Sequence, residues 1–319
     1  RRILELLITG PNDGIMIPIP QYPLYSATVK RCGGVEVGYY PNEEEDWALT
    51  PDILKDAYQN ASINGVNVKC IVIINPGNPT GAILNKNSIE DIVNFAEEYN
   101  LSIIADEVYQ ENLYGGSFIS MASIVGSRDI PLFSLHSISK GFSGECGHRG
   151  GYMEIRNMPT MKDSNINLSE LLIKQASVSL CSNTAGQAIL YMMVKPPKKG
   201  SNLYETYTQE KNAILSELET KAALIKESFK QMQGVECFGN TGAMYLFPRI
   251  DSLPKGITDF DYCMKLLEET GICTVNGGGF GQQPGTNHIR IAFLPSVKSI
   301  TRFLPDWIRF HNRFIQSPY

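Results

Sequence analysis

The sequence has 319 residues, 43% of them hydrophobic and 19% charged, as expected for an ordinary folded protein with one large domain or two unequal ones. A net charge of −5 without a basic block disfavours nucleic-acid binding, and no apolar run approaches the length of a membrane span. The seven cysteines form no CxxC pair and have no histidine cluster nearby, so we predict reduced thiols, no metal site and a cytoplasmic protein.

The first residue is Arg1, and residues 1–8 are typical of the interior of an amphipathic helix. Glu5 interrupts this segment, which makes it a poor signal peptide. We therefore expect the chain to begin within a domain and to lack any targeting segment, so that mitochondria are not excluded as its location.

Short strands and helices alternate over the next fifty residues. The pattern predicts strands at 15–19 and 35–40 and helices at 24–31 and 51–60. Pro20–Pro23 forms the first turn, Gly33 and Gly34 end the first helix, and Thr50 is the expected N-cap of the second.

Three further strands follow, and each one leads into polar residues. Val68–Ile74 is a continuous apolar run, as in a strand that is buried on both faces. Ser88, with Asp91 three residues on, is predicted to cap a helix that leads to a second buried strand, Leu101–Ala105. Strand, helix and strand in this order require a parallel pair, so we predict an α/β architecture.

The third of these strands, 132–135, precedes a stretch that combines a possible nucleophile with possible anion ligands. Ser137, Ser139 and Lys140 come directly after the strand, and a glycine-rich loop then leads to Arg149 and a strand at 150–155. The glycines allow the backbone to approach a ligand closely, and the arginine and hydroxyls suit a phosphate.

The remaining sequence predicts a smaller α+β unit. Asn183 caps a helix that ends near Val194, and the segment KPPKKG at 195–200 is typical of a linker. The pattern then predicts helices at 204–232 and 260–269 and strands at 235–238, 243–247 and 288–293. We therefore expect two domains, residues 1–200 and residues 201–319.

The polar residues that follow the three parallel strands are expected to share one crevice. Asn78, Asp106 and Lys140 each follow a strand, and ligands of open parallel sheets bind beyond the carboxyl ends of the strands. Arg290 lies in an alternating strand, so its guanidinium points either to solvent or into the cleft, where it would bind a carboxylate.

Each of these residues also has an ordinary structural explanation. Asp106 could be a helix N-cap, and the segment NPGNPTG at 75–81 could be a rigid turn. Arg149 could form a surface ion pair, while Tyr22 and Tyr109 could simply pack in a core. The expected position of an amide, a carboxylate and a lysine at one edge of the sheet favours a binding site over these structural explanations.

Six motifs resemble the fold type I pyridoxal-phosphate enzymes, specifically the class I aminotransferases and, among these, the alanine aminotransferases. The motifs cover nearly the whole chain: PQYPLYSA (20–27), NPGNPTG (75–81), ADEVYQ (105–110), SISKGFSGECGHRGGY (137–152), LLEETGI (266–272) and GFGQQPGTNHIRI (279–291). ADEVY and NPTG occur in many relatives of class I, whereas GECGHRGGY is more particular to the alanine branch. The family has residues ahead of the point where this chain starts, so the resemblance implies an N-terminally truncated member.

The resemblance implies a role for each residue of the crevice. Lys140 would be the catalytic lysine to which pyridoxal 5′-phosphate is attached, and Asp106 would pair with the ring nitrogen. The other implied cofactor ligands are Tyr22 on the ring face, Asn78 and Tyr109 at the ring oxygen O3′, and Ser137, Ser139 and Arg149 at the phosphate. Arg290 and Asn78 would bind the α-carboxylate of the substrate.

The resemblance also implies the reaction, in which the amino group of L-alanine passes to 2-oxoglutarate in two half-reactions and yields pyruvate and L-glutamate. The implied partners are a small amino acid, a 2-oxo acid and a second copy of the chain in a homodimer, with neither nucleic acid nor membrane. The alternatives are another donor or acceptor such as glyoxylate, a lyase on the same scaffold, and a catalytically impaired fragment. A nicotinamide-dependent dehydrogenase is disfavoured because no GxGxxG motif joins an early strand to a helix.

Overall fold

The computed structural model describes residues 1–160, 166–239 and 241–316. The helices in these ranges are α1 (Arg2–Leu7), α2 (Leu24–Arg31), α3 (Pro51–Ile63), α4 (Lys86–Glu98), α5 (Met121–Val125), α6 (Leu168–Ala176), α7 (Thr184–Val194), α8 (Tyr204–Phe229), α9 (Asp259–Thr270) and α10 (Val297–Gln316). The strands are β1 (Asp13–Pro18), β2 (Val35–Tyr39), β3 (Asn67–Ile74), β4 (Ser102–Asp106), β5 (Leu113–Tyr114), β6 (Leu132–Ser137), β7 (Gly151–Arg156), β8 (Val235–Glu236), β9 (Thr241–Gly242), β10 (Tyr245–Leu246), β11 (Arg249–Ile250), β12 (Val275–Asn276) and β13 (Ile289–Ala292).

The main sheet has six strands in the order β2-β1-β3-β4-β6-β7. The first five strands are parallel to their neighbours, and only β7 runs antiparallel, against β6. This is the predicted α/β sheet, with an antiparallel strand at one edge.

Helices cover both faces of this sheet, because successive side chains of each strand point to opposite faces. Met16, Ile71 and Ile103 pack into a core with α3, α4 and α5. Ile17 and Val72 belong to a second core, which α1, α2 and α6 close. The continuous apolar sequences of β1 and β3 therefore fill two cores, as expected for strands without a solvent-facing side.

A separate hydrophobic core lies in the C-terminal part of the chain. It joins buried side chains of α8, α9 and α10 to those of the small sheet β10-β13-β12, with Trp307 and Tyr262 fully buried. β5, in the first half of the sequence, pairs with β9 and so ties the two halves together.

Most of the predicted elements are confirmed, some with identical bounds. α2 spans the predicted residues 24–31, and the Thr50 hydroxyl caps α3 by accepting a hydrogen bond from the Ile53 amide. The prediction of Ser88 as an N-cap is wrong. α4 begins at Lys86, and the Asn85 side chain accepts from the Ser88 amide instead (2.9 Å). Asn85 precedes the first helical residue, and its side-chain oxygen reaches a free N–H group of the first turn. It is therefore the N-cap, and Ser88 lies inside the helix.

Two further observations complete the fold. All seven cysteines are free thiols. A search of the helices within the described ranges found none with the length and apolar character that crossing a membrane requires.

Candidate functional site

The three strands that carry the predicted site are neighbours at the centre of the main sheet. β3, β4 and β6 run in parallel, and Asp106 at the end of β4 is paired with Ile74 of β3 and Leu135 of β6. Their carboxyl ends therefore meet at one edge, as predicted. Asn78 and Lys140 lie in the segments that follow β3 and β6.

Asp106 is held by a single strong side-chain hydrogen bond. The Tyr25 hydroxyl donates to its Oδ2 atom (2.6 Å), whereas its buried Oδ1 atom has no hydrogen-bond partner in the part of the chain that the structure describes. Burial raises the pKa of Asp106, while the bond from Tyr25, the Val108 amide and the positive charge of Lys140 act in the opposite direction. An unpartnered carboxylate oxygen in this position is ready to accept a hydrogen bond from a cationic ligand.

A cavity of about 140 Å³ adjoins this carboxylate. Tyr22, Tyr25 and Asp106 are among its lining residues, and Tyr22 is 43% exposed. Tyr25 is the second residue of α2, and Tyr22 lies just before the N-cap of that helix, Pro23. The cavity therefore combines an aromatic side chain that is accessible from outside with a carboxylate at its wall.

Lys140 lies in the segment that follows β6, the strand next to β4, and so at the same edge of the sheet as the Asp106 carboxylate. Its Nζ atom lies 5.3 Å from the centre of the Tyr109 ring, and its charge lowers the pKa of Asp106 against the larger effect of burial. The Asn112 side chain donates to the carbonyl of Gly141 (3.3 Å), and Gly141 has a φ of +70°, which favours glycine. The turn after Lys140 is thus fixed by residues close to Tyr109.

Arg290 points into the cleft rather than to solvent. Its Nη1 atom donates to Asn78 Oδ1 (3.2 Å), and the guanidinium lies between the rings of Tyr245 and Phe280, 4.4 and 4.5 Å from their centres. The buried Nε atom has no hydrogen-bond partner within residues 1–160, 166–239 and 241–316. A guanidinium that is held by its faces and keeps an N–H group unpaired is suited to a carboxylate ligand.

The loop that carries the predicted phosphate ligands is more open. The Ser139 amide donates to the Ser137 hydroxyl (3.1 Å), which in turn donates to the Gly150 carbonyl (3.4 Å). Arg149 is exposed, has a φ of +47°, and donates to the carbonyl of Cys146 within its own loop (2.7 Å).

α7 packs closely against this loop through a glycine. A Cβ atom on Gly186 would lie only 2.4 Å from the carbonyl oxygen of His148. The Asn183 side chain, which caps α7, also donates to this carbonyl (2.8 Å). The loop therefore depends on α7 for its position.

The structure thus brings six of the nine predicted residues together in two groups, and the other three lie beside them. Tyr22, Asp106, Lys140 and Tyr109 surround the end of β4, and a hydrogen bond joins Asn78 to Arg290. Ser137, Ser139 and Arg149 lie along the adjacent loop. The roles of all nine residues stay predictions.

The comparison with known proteins decides the family. Residues 1–304 match the family model of the class I and II aminotransferases. The chain belongs to this family.

Individual members of the family resemble this aminotransferase chain along nearly its whole length. It is 42% identical to the probable mitochondrial alanine aminotransferase of Dictyostelium discoideum, with 99% of this chain and 61% of that protein covered. It is 41% identical to the inactive alanine aminotransferase of Saccharomyces cerevisiae, with 99% of this chain and 64% of that protein covered. The chain thus spans about three fifths of the length of these relatives. Because one of them is named as inactive, identity at this level does not by itself establish activity.

A solved structure confirms the predicted fold class. The alanine aminotransferase from Pyrococcus furiosus superimposes with a TM-score of 0.82 at 29% sequence identity, over 98% of this chain and 74% of that one. The mostly parallel sheet with flanking helices is therefore the fold of a fold type I aminotransferase.

Sequence reasoning missed three aromatic residues of this aminotransferase site. Tyr25 holds Asp106, while Tyr245 and Phe280 enclose Arg290. Tyr25 could have been found from its place in the motif PQYPLYSA (20–27), which also contains Tyr22. The other two carry no local signal, because an aromatic residue that contacts an arginine has the same sequence pattern as one that packs in a core.

Proposed function

We propose that this chain is the catalytic part of an aminotransferase that moves the amino group of L-alanine to 2-oxoglutarate, with pyridoxal 5′-phosphate as cofactor. The observation that carries the proposal is the buried carboxylate of Asp106, whose Oδ1 atom has no hydrogen-bond partner among the described residues and whose pKa is lowered by the positive charge of Lys140 against the larger effect of burial. The names of the relatives, two of them alanine aminotransferases, support the choice of substrates.

The residues of the cavity fit the cofactor chemically. The unpaired oxygen of Asp106 would accept a hydrogen bond from a protonated ring nitrogen, and the exposed Tyr22 would cover a face of the ring. Asn78 and Tyr109 would contact O3′, and Ser137, Ser139 and Arg149 would hold the phosphate. When bound, pyridoxal phosphate supplies an electron sink for the charge that remains after the Cα–H bond of an amino acid breaks.

Lys140 would carry the proton in this chemistry. Its side chain is an amine, which can accept the proton from Cα and return it, whereas an amide is too weak a base and a guanidinium stays protonated. Asp106, at the end of the neighbouring strand, would stabilise positive charge on the ring nitrogen of the cofactor.

Arg290 and Asn78 would bind the α-carboxylate of the substrate. Alanine, pyruvate, glutamate and 2-oxoglutarate all carry a carboxylate next to the reacting carbon, so one guanidinium can serve both half-reactions. The Asn78 bond and the two aromatic rings fix the orientation of Arg290 before a ligand arrives, which lowers the entropic cost of binding.

The assay of choice supplies the purified chain with pyridoxal phosphate, L-alanine and 2-oxoglutarate, and follows both pyruvate and L-glutamate. We expect equal amounts of the two products, and no product when the cofactor is omitted after dialysis. Pyruvate that forms only with glyoxylate as acceptor would identify the alternative substrate pair. If cofactor and substrates bind but no product forms, the chain is catalytically impaired, as the name of the yeast relative suggests for that protein.

We further propose a homodimer. The edge strand β7 and the helices α6 and α7 expose many large apolar side chains, and this surface lies next to the loop of Arg149. Its residues are Tyr152, Met153, Ile173, Val178, Leu180, Tyr191, Met192 and Val194. Exposed apolar side chains of this number and size favour a subunit interface. Sedimentation velocity of the chain tests this proposal, because a monomer at all concentrations would contradict it.

The division into domains and the location also remain proposals. We propose a cofactor-binding domain of residues 1–200 and a smaller domain of residues 201–319, which the separate core around Trp307 supports. Limited proteolysis should cut first in the exposed segment at 198–203. Free thiols are typical of a reducing compartment, so we propose the cytoplasm, with mitochondria, as in the name of the Dictyostelium relative, as the alternative. Cell fractionation separates the two.

A further inference from the structure

Tyr245 occupies a position between the two groups of site residues. It lies on β10, is only 8% exposed, and contacts Tyr109 on one side and Arg290 on the other. Tyr109 belongs to the part of the site that contains Lys140, and Arg290 belongs to the part that would bind the substrate carboxylate. Tyr245 therefore links the position of Tyr109, near Lys140, to the position of Arg290.

The ring of Tyr245 fixes the guanidinium of Arg290. The centre of the ring lies 4.4 Å from Arg290 Cζ, and the Phe280 ring lies at 4.5 Å. Two aromatic rings at these distances attract the cation and leave its N–H groups available for hydrogen bonds. One of these groups donates to Asn78, and the buried Nε–H has no partner among the described residues.

The hydroxyl of Tyr245 fixes Tyr109. The Tyr109 hydroxyl donates to it (3.2 Å), and the two rings meet edge to face with their centres 5.8 Å apart. Burial, followed by this contact with Tyr245, raises the pKa of Tyr109, and Arg290 opposes the shift. Tyr109 is thus held as a neutral phenol beside Lys140.

The backbone around Tyr245 is itself tightly placed. A Cβ atom on Gly81 would lie 2.9 Å from the Tyr245 carbonyl oxygen, so the loop that carries Asn78 packs directly on β10. The Ala243 amide donates to the carbonyl of Asn112 (2.9 Å), which lies three residues after Tyr109. Both contacts limit the freedom of Tyr245 relative to the sheet edge.

We propose that Tyr245 is a positioning residue that holds Arg290 through its ring and Tyr109 through its hydroxyl. It thereby keeps the carboxylate-binding group and the lysine region in one fixed arrangement. The inference rests on the proposed function for its meaning in catalysis, but the contacts it describes belong to the protein without ligand. The two contacts can be separated, because the ring and the hydroxyl are different parts of the side chain.

Three variants make this separation. Tyr245→Phe keeps the ring and removes the hydroxyl, Tyr245→Leu removes both, and Phe280→Leu removes the other ring over Arg290 as a matched control. NMR of protein without cofactor, labelled with ¹⁵N-arginine and [ζ-¹³C]tyrosine, reports on Arg290 Nε–H and on the Tyr109 hydroxyl. Arg290→Lys and Tyr109→Phe assign the two signals.

We expect Tyr245→Phe to shift the Tyr109 signal and to leave Arg290 Nε–H as protected from exchange as in the wild type. Phe280→Leu should do the reverse, and Tyr245→Leu should change both signals. In the active protein the KM for alanine should rise about tenfold in each leucine variant and stay within about twofold in Tyr245→Phe.

An unchanged Tyr109 signal in Tyr245→Phe overturns the role of the hydroxyl, and an unchanged Arg290 signal in Tyr245→Leu overturns the role of the ring. If Tyr245→Leu does not fold, the Tyr109 signals of Tyr245→Phe and Phe280→Leu still test the role of the hydroxyl. A KM for alanine in Phe280→Leu equal to that of the wild type would contradict the proposal that aromatic rings hold Arg290. Absence of transamination in the wild type would refute the proposed function alone, because the NMR signals are read without cofactor or substrate.

Discussion

Arg290 and Arg149 lie on two sides of the same candidate site and differ in how the surrounding residues hold their side chains. Arg290 is held between two aromatic rings and bonded to Asn78, whereas Arg149 is exposed and bonded only within its own loop. The first arginine is positioned by the core of the chain, and the second is not. The carboxylate side of the site is therefore organised in advance by packing within a single chain.

The scaffold shows the same contrast. All six residues of β1 are buried, whereas four of the six residues of β7 are exposed, and on α7 only Gly186 is buried. The side of the site that adjoins β7 and α7 lacks the apolar cover that the other side has. In the proposed homodimer the partner subunit would cover this side and order the loop of Arg149, and the following predictions test this difference between the two sides.

The largest effect is expected at the centre of the site. Lys140→Ala should reduce pyruvate formation by about 10⁴-fold, because the substitution removes the amine that would move the proton in the proposed reaction. The exposed Lys298 on α10 provides the control, since Lys298→Ala should leave the rate unchanged. Normal turnover in Lys140→Ala would mean that the lysine has no part in the reaction.

Asp106→Asn should reduce turnover by about 10²-fold or more, because a neutral amide does not stabilise a protonated ring nitrogen. The amide oxygen of the asparagine can take the place of Asp106 Oδ2 and accept the bond from Tyr25, so the fold of the variant should be intact. Steady-state rates at saturating cofactor measure the effect. A rate within threefold (~0.7 kcal/mol) of the wild type would show that the buried charge is not used.

The ordered side of the site should be sensitive to a single ion pair. Glu43 Oε1 lies 2.9 Å from His288 Nε2, and Arg249 Nη1 lies 3.2 Å from Glu43 Oε2, with all three side chains largely buried. Glu43→Gln should therefore lower the free energy of unfolding by about 2 kcal/mol, measured by urea denaturation. Glu90→Gln, which breaks an exposed pair with Lys86, should have little effect, and equal losses in the two variants would contradict this difference.

Asp106→Asn should also stabilise the protein without cofactor, by about 2 °C or more in Tm at neutral pH. Burial raises the pKa of Asp106 in the folded state, so the folded state holds its proton more tightly than the unfolded state. The wild type therefore loses stability as the pH rises from the ordinary pKa of an aspartate to the raised pKa of Asp106 in the folded state. Asp106→Asn has no carboxyl group at this position and does not show this loss. The Tm difference should vanish at a pH below both pKa values, and a constant difference at every pH would be inconsistent with this origin.

The smallest effect is expected on the exposed side. Met192→Gln on α7 should change the unfolding free energy of the monomer by less than about 0.5 kcal/mol, because Met192 is exposed. The variant should nevertheless dissociate at higher protein concentrations than the wild type in sedimentation velocity. Leu218→Ala in the C-terminal core is the contrast, with an expected loss of about 2–5 kcal/mol. A large loss of monomer stability in Met192→Gln would argue that its surface is not an interface.

The sequence was sufficient for the central sheet and for part of the site. Continuous apolar runs identified β3 and β4, and the rule that ligands bind beyond the carboxyl ends of strands placed Asn78, Asp106 and Lys140 at one edge. These predictions succeeded because each depends on local sequence and on one general rule of topology.

Other features depend on contacts between distant residues and could not be predicted. Tyr245 reaches Tyr109 across 136 positions of the sequence, and nothing near either residue indicates the contact. α10 was not predicted, and Pro305 inside it interrupts the pattern by which helices are recognised. The cap of α4 was assigned to Ser88 instead of Asn85, because two competing polar residues leave the first turn undetermined.

The central claim is that Lys140 forms the bond to pyridoxal phosphate opposite Asp106. Incubation with the cofactor, reduction with borohydride and peptide mass spectrometry test it directly. The account predicts a stable pyridoxyl group on Lys140, at a level that falls in Asp106→Asn. Labelling spread over exposed lysines such as Lys298, with Lys140 unmodified, would contradict it.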